Sequence, residues 1–221
     1  LYSILKELYS EEEARFLIRM PYTLSSTERI SRVTGEPLPS VQACLERLTE
    51  KGLVLDLYHD GDYYYMPSPL LLGFFEFTMM RMGSSPQAET LGRLFRAYFA
   101  SGAPYLGNYD PNLQITMARA LPHQEAISTG ETVEILSYEK AGEIIASQGL
   151  IAVGNCSCRH QKLHAGEKTC DVPLETCLSL GRAADYVVRH GMARGISREE
   201  ALEILQQSRE SGLVLSADNV Q

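Results

Sequence analysis

The sequence has 221 residues, of which 44% are hydrophobic and 22% charged, and its net charge is −8. This composition is typical of a folded globular protein, and the acidic balance argues against a nucleic-acid surface, which needs a basic face. No apolar run reaches the roughly 18–20 residues of a membrane span, and no secretory signal pattern is present. We therefore expect a cytoplasmic protein.

The N-terminal part of the chain predicts three helices, over residues 11–20, 25–35 and 39–52. Each has apolar residues at helical spacing and an appropriate end signal. The second helix has Ser25 or Ser26 as its N-cap. These elements form the first half of a compact N-terminal unit.

Residues 53–67 predict a β-hairpin around the turn signal Asp60-Gly61. Three helices followed by a hairpin are typical of a winged helix, so we assign residues 1–67 to a winged-helix-like domain. Seven Lys/Arg against eleven Asp/Glu give this segment a net charge of −4. Phosphate contacts supply most nucleic-acid affinity, so we expect the domain to serve packing or partner docking, with nucleic acid an unfavoured partner.

Residues 68–102 predict two connecting helices, a very apolar one over 69–82 and an amphipathic one over 86–100. The apolar helix is interpreted either as buried between the two halves of the chain or as the interface of a homodimer. The Gly- and Pro-rich stretch that begins at residue 101 predicts a loop and a boundary.

Residues 103–221 predict a small α+β domain, which makes the whole chain α+β. Strands are predicted over 115–121, 132–136, 150–155 and 213–217, and helices over 137–149, 173–190 and 198–211. Ser197 and Glu200 have the spacing of a capping box at the start of the last helix.

Four of the five cysteines cluster within this domain, as Cys156, Cys158, Cys170 and Cys177. A secreted disulfide scaffold spreads its cysteines through a small chain, whereas one tight cluster is typical of a metal site. The fifth, Cys44, falls on the core face of a predicted helix and is interpreted as a small buried hydrophobe.

The predicted elements give the cluster a geometry. Cys156 and Cys158 follow a short apolar strand and would point the same way from an extended chain. Cys170 and Cys177 lie near the start of the helix predicted over 173–190. Helix N-termini lower thiol pKa values, and thiolate is the form that binds metal.

The spacing leaves zinc and an iron–sulfur cluster as alternatives, since both accept four thiolates. His160 and His164 are interpreted as replacement ligands or as solvated loop residues. Arg159 would hydrogen-bond an anionic cluster or form a surface salt bridge. No Gly-rich phosphate loop and no H-E-x-x-H motif is present, so these motifs give no indication of a substrate-transforming enzyme.

The motifs GNCSCRH, CDVPLETCLSLGRAAD and RHGMARGISREEALEILQQSRESGLV resemble a family of anaerobe proteins described as ferredoxin-like or 4Fe-4S-binding. In that family a winged-helix-like segment precedes a C-x-C-R…C-x2-P-x-E-x-C-x3-G motif. The N-terminal pieces EEEARFLIRMP and YYYMPSPLLLGFFE are similar as well. The resemblance thus covers nearly the whole chain.

The resemblance implies a 4Fe-4S cluster, with Cys156, Cys158, Cys170 and Cys177 as ligands, and electron transfer to a redox protein partner. Alternative hypotheses are a metal- or redox-sensing winged-helix transcription regulator and a zinc-stabilised interaction protein. Family members continue into a further cysteine-rich ferredoxin portion, whereas this sequence ends at Gln221. The resemblance therefore implies a shorter member or a truncated one, whose further clusters lie in the missing part.

Overall fold

A computed structural model describes residues 1–103, 118–121 and 141–218, and it has an α+β fold. Its N-terminal part begins with four helices: α1 (Tyr2–Leu8), α2 (Glu11–Leu17), α3 (Thr27–Thr34) and α4 (Leu38–Glu50). The predicted helices over 11–20, 25–35 and 39–52 are present with slightly shorter bounds.

Side-chain caps explain where α2 and α3 begin. Ser10 and Glu13 form a complete capping box at the start of α2, each side chain binding the other's backbone amide. Ser26, rather than Ser25, caps α3 by accepting from the Arg29 amide. Gly35 ends α3 in the left-handed region, with φ +75°.

The hairpin predicted over 53–67 is formed by β1 (Val54–His59) and β2 (Asp62–Pro67), which pair antiparallel. Asp60 and Gly61 make the two-residue turn with φ +49° and +96°, the conformation that Asp-Gly favours. Helix α1 was not predicted. The three predicted helices and the hairpin follow it in the predicted order, and the winged-helix-like assignment itself stays a prediction.

The apolar segment 69–82 is a π-helical turn (Leu70–Phe74) continued by α5 (Phe75–Arg81). Helix α6 (Pro86–Ala100) follows. Phe75 and Met79 belong to the N-terminal core, while Met80 packs into a second core with Tyr186. Burial on both sides accounts for the apolar composition of the segment within a single chain, and the homodimer stays a hypothesis.

The N-terminal core is shared by the helices and the connecting segment. Cys44 is one of its members, as predicted, and α6 contributes Leu91 and Phe95. These side chains are almost fully removed from water, which is the main source of stability in such a unit.

The C-terminal part is built on a three-stranded antiparallel sheet with the order β5-β4-β6. Its strands are β4 (Ile151–Asn155), β5 (Glu175–Leu180) and β6 (Ala193–Gly195). The described helices of this part are α7 (Ala141–Ala146), α8 (Ser157–His164), α9 (Gly181–Arg189) and α10 (Arg198–Glu210).

A second strand pair joins β3 (Ala118–Leu121) to β7 (Leu215–Asp218). The predicted strand over 132–136 and the start of the helix predicted over 137–149 lie outside the described residues. Ser197 caps α10 by accepting from the Glu200 amide at 3.1 Å. Within the described ranges, no helix combines the length and the apolar character needed to cross a membrane.

The helix predicted over 173–190 is wrong in its first half. Residues Glu175–Leu180 form β5, and α9 begins only at Gly181, whose φ is +56°. The strand forms because it pairs with β4, with Leu180 opposite Ile151 and a register shift between Gly154 and Asn155. Gly181 adopts the left-handed φ that the turn into α9 requires, and this φ is strained for other residues.

Candidate metal centre

Strand β4 carries the chain to the first cysteine. Ala152 and Val153 are fully buried, so the strand is rigidly held in the sheet. Cys156 follows as the N-cap of α8, and its amide donates to the Leu174 carbonyl at 2.7 Å. The strand before Cys156 is therefore held in the sheet, and the Cys156 amide is held by the Leu174 carbonyl.

Cys158 lies in the first turn of α8, and not on an extended chain as predicted. Two hydrogen bonds anchor helix α8 on the neighbouring helices. The Ser157 hydroxyl donates to the Glu76 carbonyl at 3.1 Å, and Gln161 Nε2 donates to the Gly92 carbonyl at 2.8 Å. This anchoring on α5 and α6 starts the helix immediately after Cys156 and turns the chain away from the strand direction.

Cys177 stands on β5, directly opposite Gly154 of β4. The prediction that Cys170 and Cys177 lie at a helix start is therefore wrong, because the residues around Cys177 pair with β4. Cys170 lies in residues 167–173, which have no regular secondary structure, and its side chain is exposed. The helix N-terminus beside the thiols is that of α8.

All five cysteines are thiols in the structure. The hydrogen bond from Cys158, helped by the backbone amide and guanidinium of Arg159, outweighs burial and lowers the pKa of Cys156 to about 5. The pKa of Cys158 is raised, because its proton is bound to Cys156 and because a second thiolate would lie beside the first and near Cys177. One thiolate therefore forms readily at neutral pH.

Arg159 lies next to these sulfurs. Its guanidinium donates to the Thr176 hydroxyl and contacts Cys156. Its Nε is buried and has no hydrogen-bond partner among the described residues. A buried donor without a partner is costly, and an anion beside Cys156 would relieve that cost.

His160 and His164 are neither solvated loop residues nor ligands in this conformation. His160 is 3% exposed, and its Nδ1 lies 2.5 Å from the Met79 carbonyl oxygen. Because that carbonyl accepts, Nδ1 carries the proton and Nε2 accepts from His164 Nε2 at 2.9 Å. Burial, followed by the neighbouring His160 ring, lowers the pKa of His164, which favours the neutral form of His164.

Cysteine sulfurs are ligands that zinc and iron–sulfur clusters accept. Cys156 and Cys158 lie at the start of α8 with Arg159 beside Cys156, and Cys177 lies on β5 opposite Gly154. Across residues 1–103, 118–121 and 141–218, no group of three or more His, Cys, Asp or Glu side chains is closely enough gathered to hold a metal ion. The residue types suit a metal ligand set, whereas their described positions do not form one.

Three contributors to the site were missed at the sequence level. Thr176 accepts from Arg159, Gly154 leaves the strand opposite Cys177 without a side chain, and the charge of Glu76 acts on Cys158. Thr176 and Gly154 are adjacent to cluster positions in the sequence, which was a usable signal. Glu76 is 82 residues before Cys158, and nothing in the local pattern connects them.

Comparisons with protein-family models, curated proteins and solved structures gave no match. Our interpretation of the site is therefore based on its residues and their geometry.

Proposed function

We propose that this protein binds an iron–sulfur cluster through Cys156, Cys158, Cys177 and Cys170, and that it transfers electrons to a redox protein partner. The proposal is supported by the positions of Cys156 and Cys158 at the start of α8, with Arg159 beside Cys156, and of Cys177 on β5 opposite Gly154. The resemblance of the cysteine motifs to 4Fe-4S-binding proteins is its second support.

The surrounding residues suit an anionic group with several sulfurs. The guanidinium of Arg159 compensates negative charge, and its partnerless Nε offers a further donor to sulfur. Strand β4 is held in the sheet and α8 is anchored on α5 and α6, which fixes the backbone that carries Cys156 and Cys158. A bound cluster would supply one-electron chemistry, with a potential that depends on charge, hydrogen bonds to sulfur and exposure.

Anaerobic reconstitution with iron and sulfide tests this function. We expect bound iron and sulfide after desalting, with broad visible absorption that bleaches on addition of dithionite. Cys158→Ala should lose this absorption, whereas Cys44→Ala is the matched control, because Cys44 is a cysteine of the N-terminal core, far along the chain from the site. A colourless protein with stoichiometric zinc after expression and reconstitution would overturn the proposal in favour of a zinc site.

A further inference from the structure

Cys156 and Cys158 lie in direct side-chain contact at the start of α8, where Cys158 donates a hydrogen bond to the Cys156 sulfur. Residues two apart within a helix do not face each other, so the contact depends on where the helix begins. Cys156 is the N-cap, with φ −62° and ψ 108°, and its backbone lies outside the helical conformation. Its side chain is therefore free to turn toward the first helical turn, which carries Cys158.

The two thiols are also accessible. Cys158 is exposed and Cys156 is half-buried, and both are free thiols in the structure. The guanidinium of Arg159 contacts Cys156. Partly exposed cysteines at a helix start beside a cation are the type that exchanges with disulfides, whereas a buried cysteine such as Cys44 is inert.

The contact singles out Cys156 as the partner of Cys158. The effect of Cys177 on Cys158 is electrostatic, and Cys177 is paired within the sheet opposite Gly154. Dithiol chemistry needs two sulfurs in contact, which Cys156 and Cys158 provide. The described positions of the cysteines suit this requirement better than that of a metal ligand set, which they do not form.

We propose that Cys156 and Cys158 are a redox-active dithiol that, in the metal-free protein, exchanges reversibly with small disulfides. One of the two thiols attacks a sulfur of the small disulfide, which breaks its S–S bond, forms a mixed disulfide and releases one small thiol. The other cysteine then attacks the protein sulfur of the mixed disulfide, so that the Cys156–Cys158 bond forms and the second small thiol leaves. Two electrons and two protons pass from the dithiol to the small disulfide. The inference goes beyond the proposed function and does not depend on it.

The disulfide of this pair is expected to be labile. It requires Cβ atoms about 3.5–4.5 Å apart, and the helical backbone turns the side chains of residues two apart away from each other. The first turn is also held on α5 by the hydrogen bond from Ser157 to the Glu76 carbonyl. Closing the disulfide therefore strains the start of α8. Strained disulfides are more oxidising and are the labile or catalytic ones, so small thiols should reduce this one readily.

Peptide mapping with oxidised glutathione as the probe tests the proposal. The chain is first reduced and freed of metal with a chelator, then incubated with the probe under anaerobic conditions and digested with trypsin. Cys156 and Cys158 share the tryptic peptide 141–159, whereas Cys177 lies in the peptide 169–182. We expect the peptide 141–159 to become lighter by two hydrogen atoms and to regain them in excess reduced glutathione. A cross-link between the two peptides, or stable glutathione adducts without an internal disulfide, would overturn the proposal.

Cys158→Ser gives the matched variant. Without the second thiol, the mixed disulfide on Cys156 cannot be resolved, and the glutathione adduct should accumulate there. Cys170→Ser is the control and should form the internal disulfide as the wild type does. Far-UV circular dichroism checks that both variants are folded. If Cys158→Ser carried no more adduct on Cys156 than the wild type, Cys158 would not be the resolving thiol and the proposal would be refuted.

Discussion

Arg189 binds the carboxylate of Asp56 through both terminal nitrogens, with Nη1–Oδ2 at 2.9 Å and Nη2–Oδ1 at 3.0 Å. His190 Nε2 contacts the same carboxylate at 3.0 Å, and the guanidinium of Arg189 also covers the ring of Tyr63. The face of the hairpin that carries Asp56 is thus occupied by α9 of the same chain. This use of the hairpin supports a packing role for the N-terminal unit.

Removing the Asp56 charge should destabilise the protein. In Asp56→Asn the Arg189 cation, whose side chain is 28% exposed, loses its counter-charge. The cost should lie above the roughly 0–1 kcal/mol of an exposed pair and below the roughly 3–5 kcal/mol of a fully buried one. Urea unfolding at neutral pH measures the loss. Glu11→Gln is the matched control, because Glu11 pairs with Arg15 at an exposed site, where about 0–1 kcal/mol is expected. Equal losses of unfolding free energy in Asp56→Asn and Glu11→Gln would contradict the structural role assigned to the Asp56–Arg189 pair.

The same ion pair should make stability depend on acid pH. Burial by itself would raise the pKa of Asp56, but hydrogen bonds from His190 and Arg189 outweigh burial and hold the pKa below its usual value. The contribution of this ion pair to the free energy of unfolding is therefore complete above the unfolded pKa of about 3.9. It is lost as the pH falls through the lower pKa that Asp56 has in the folded protein. We expect the difference in unfolding free energy between wild type and Asp56→Asn to shrink over that acid range. If the difference in unfolding free energy stayed constant with pH, the Asp56 carboxylate would be excluded as the source of the pH dependence.

Tyr186 joins the two parts of the molecule by a buried hydrogen bond. It is 1% exposed, and its hydroxyl donates to the Val54 carbonyl at 2.9 Å. Tyr186→Phe should cost about 1–3 kcal/mol in denaturant unfolding, because the carbonyl loses a buried partner. Tyr22→Phe is the control at a side chain that is 77% exposed, and its effect should stay within about 0.5 kcal/mol. A neutral Tyr186→Phe would show that the contact between the parts does not depend on this bond.

Local signals in the sequence were sufficient for α2, α3, α4, the hairpin and α10, whereas α1 was not predicted. The caps of α3 and α10 and the Asp60-Gly61 turn are properties of a few adjacent residues, and all are present in the structure. The strand β5 was missed because its partner β4 lies about twenty residues earlier in the chain. Helical spacing and strand pairing can both accommodate the same short apolar run, and the non-local pairing decides between them.

The composition of the candidate site was predictable, but its geometry was not. The spacing of the cysteines identified the thiols, while their positions on an N-cap, a helix, an irregular segment and a strand depend on how α8 packs. The contact of Arg159 with Thr176 likewise exists only because β5 pairs with β4 and so brings residue 176 back to α8. Such tertiary contacts leave no periodic pattern in the sequence.

Gly154 should be intolerant of a side chain. A Cβ there would lie 2.5 Å from Met80 Cε and 3.2 Å from Ala193 Cβ. Gly154→Ala therefore overpacks the contact between β4 and α5, which costs about 1–3 kcal/mol. Gly195→Ala on the neighbouring strand is the control, because its Cβ would meet nothing within 4 Å. Thermal unfolding distinguishes them, and equal melting temperatures would show that Met80 moves aside freely.

Arg159 should govern how tightly the proposed cluster is retained. Arg159→Gln removes the cation beside Cys156 and the donor to Thr176, and the loss of such a supporting contact weakens metal binding about 10–100-fold. We expect the variant to load in excess iron and sulfide but to lose its visible absorption faster during chelator challenge. Arg159→Lys should recover part of the retention, since it keeps the charge without the planar set of donors.

Lys162→Gln is the matched control for that experiment. Lys162 is an exposed cation on the same helix, so its removal changes the net charge of α8 by the same amount without touching the sulfurs. Retention in this variant should equal that of the wild type, because exposed charges are screened by solvent. If Lys162→Gln and Arg159→Gln lost the cluster equally fast, the effect of Arg159 would come from overall charge, and its specific role beside Cys156 would be refuted.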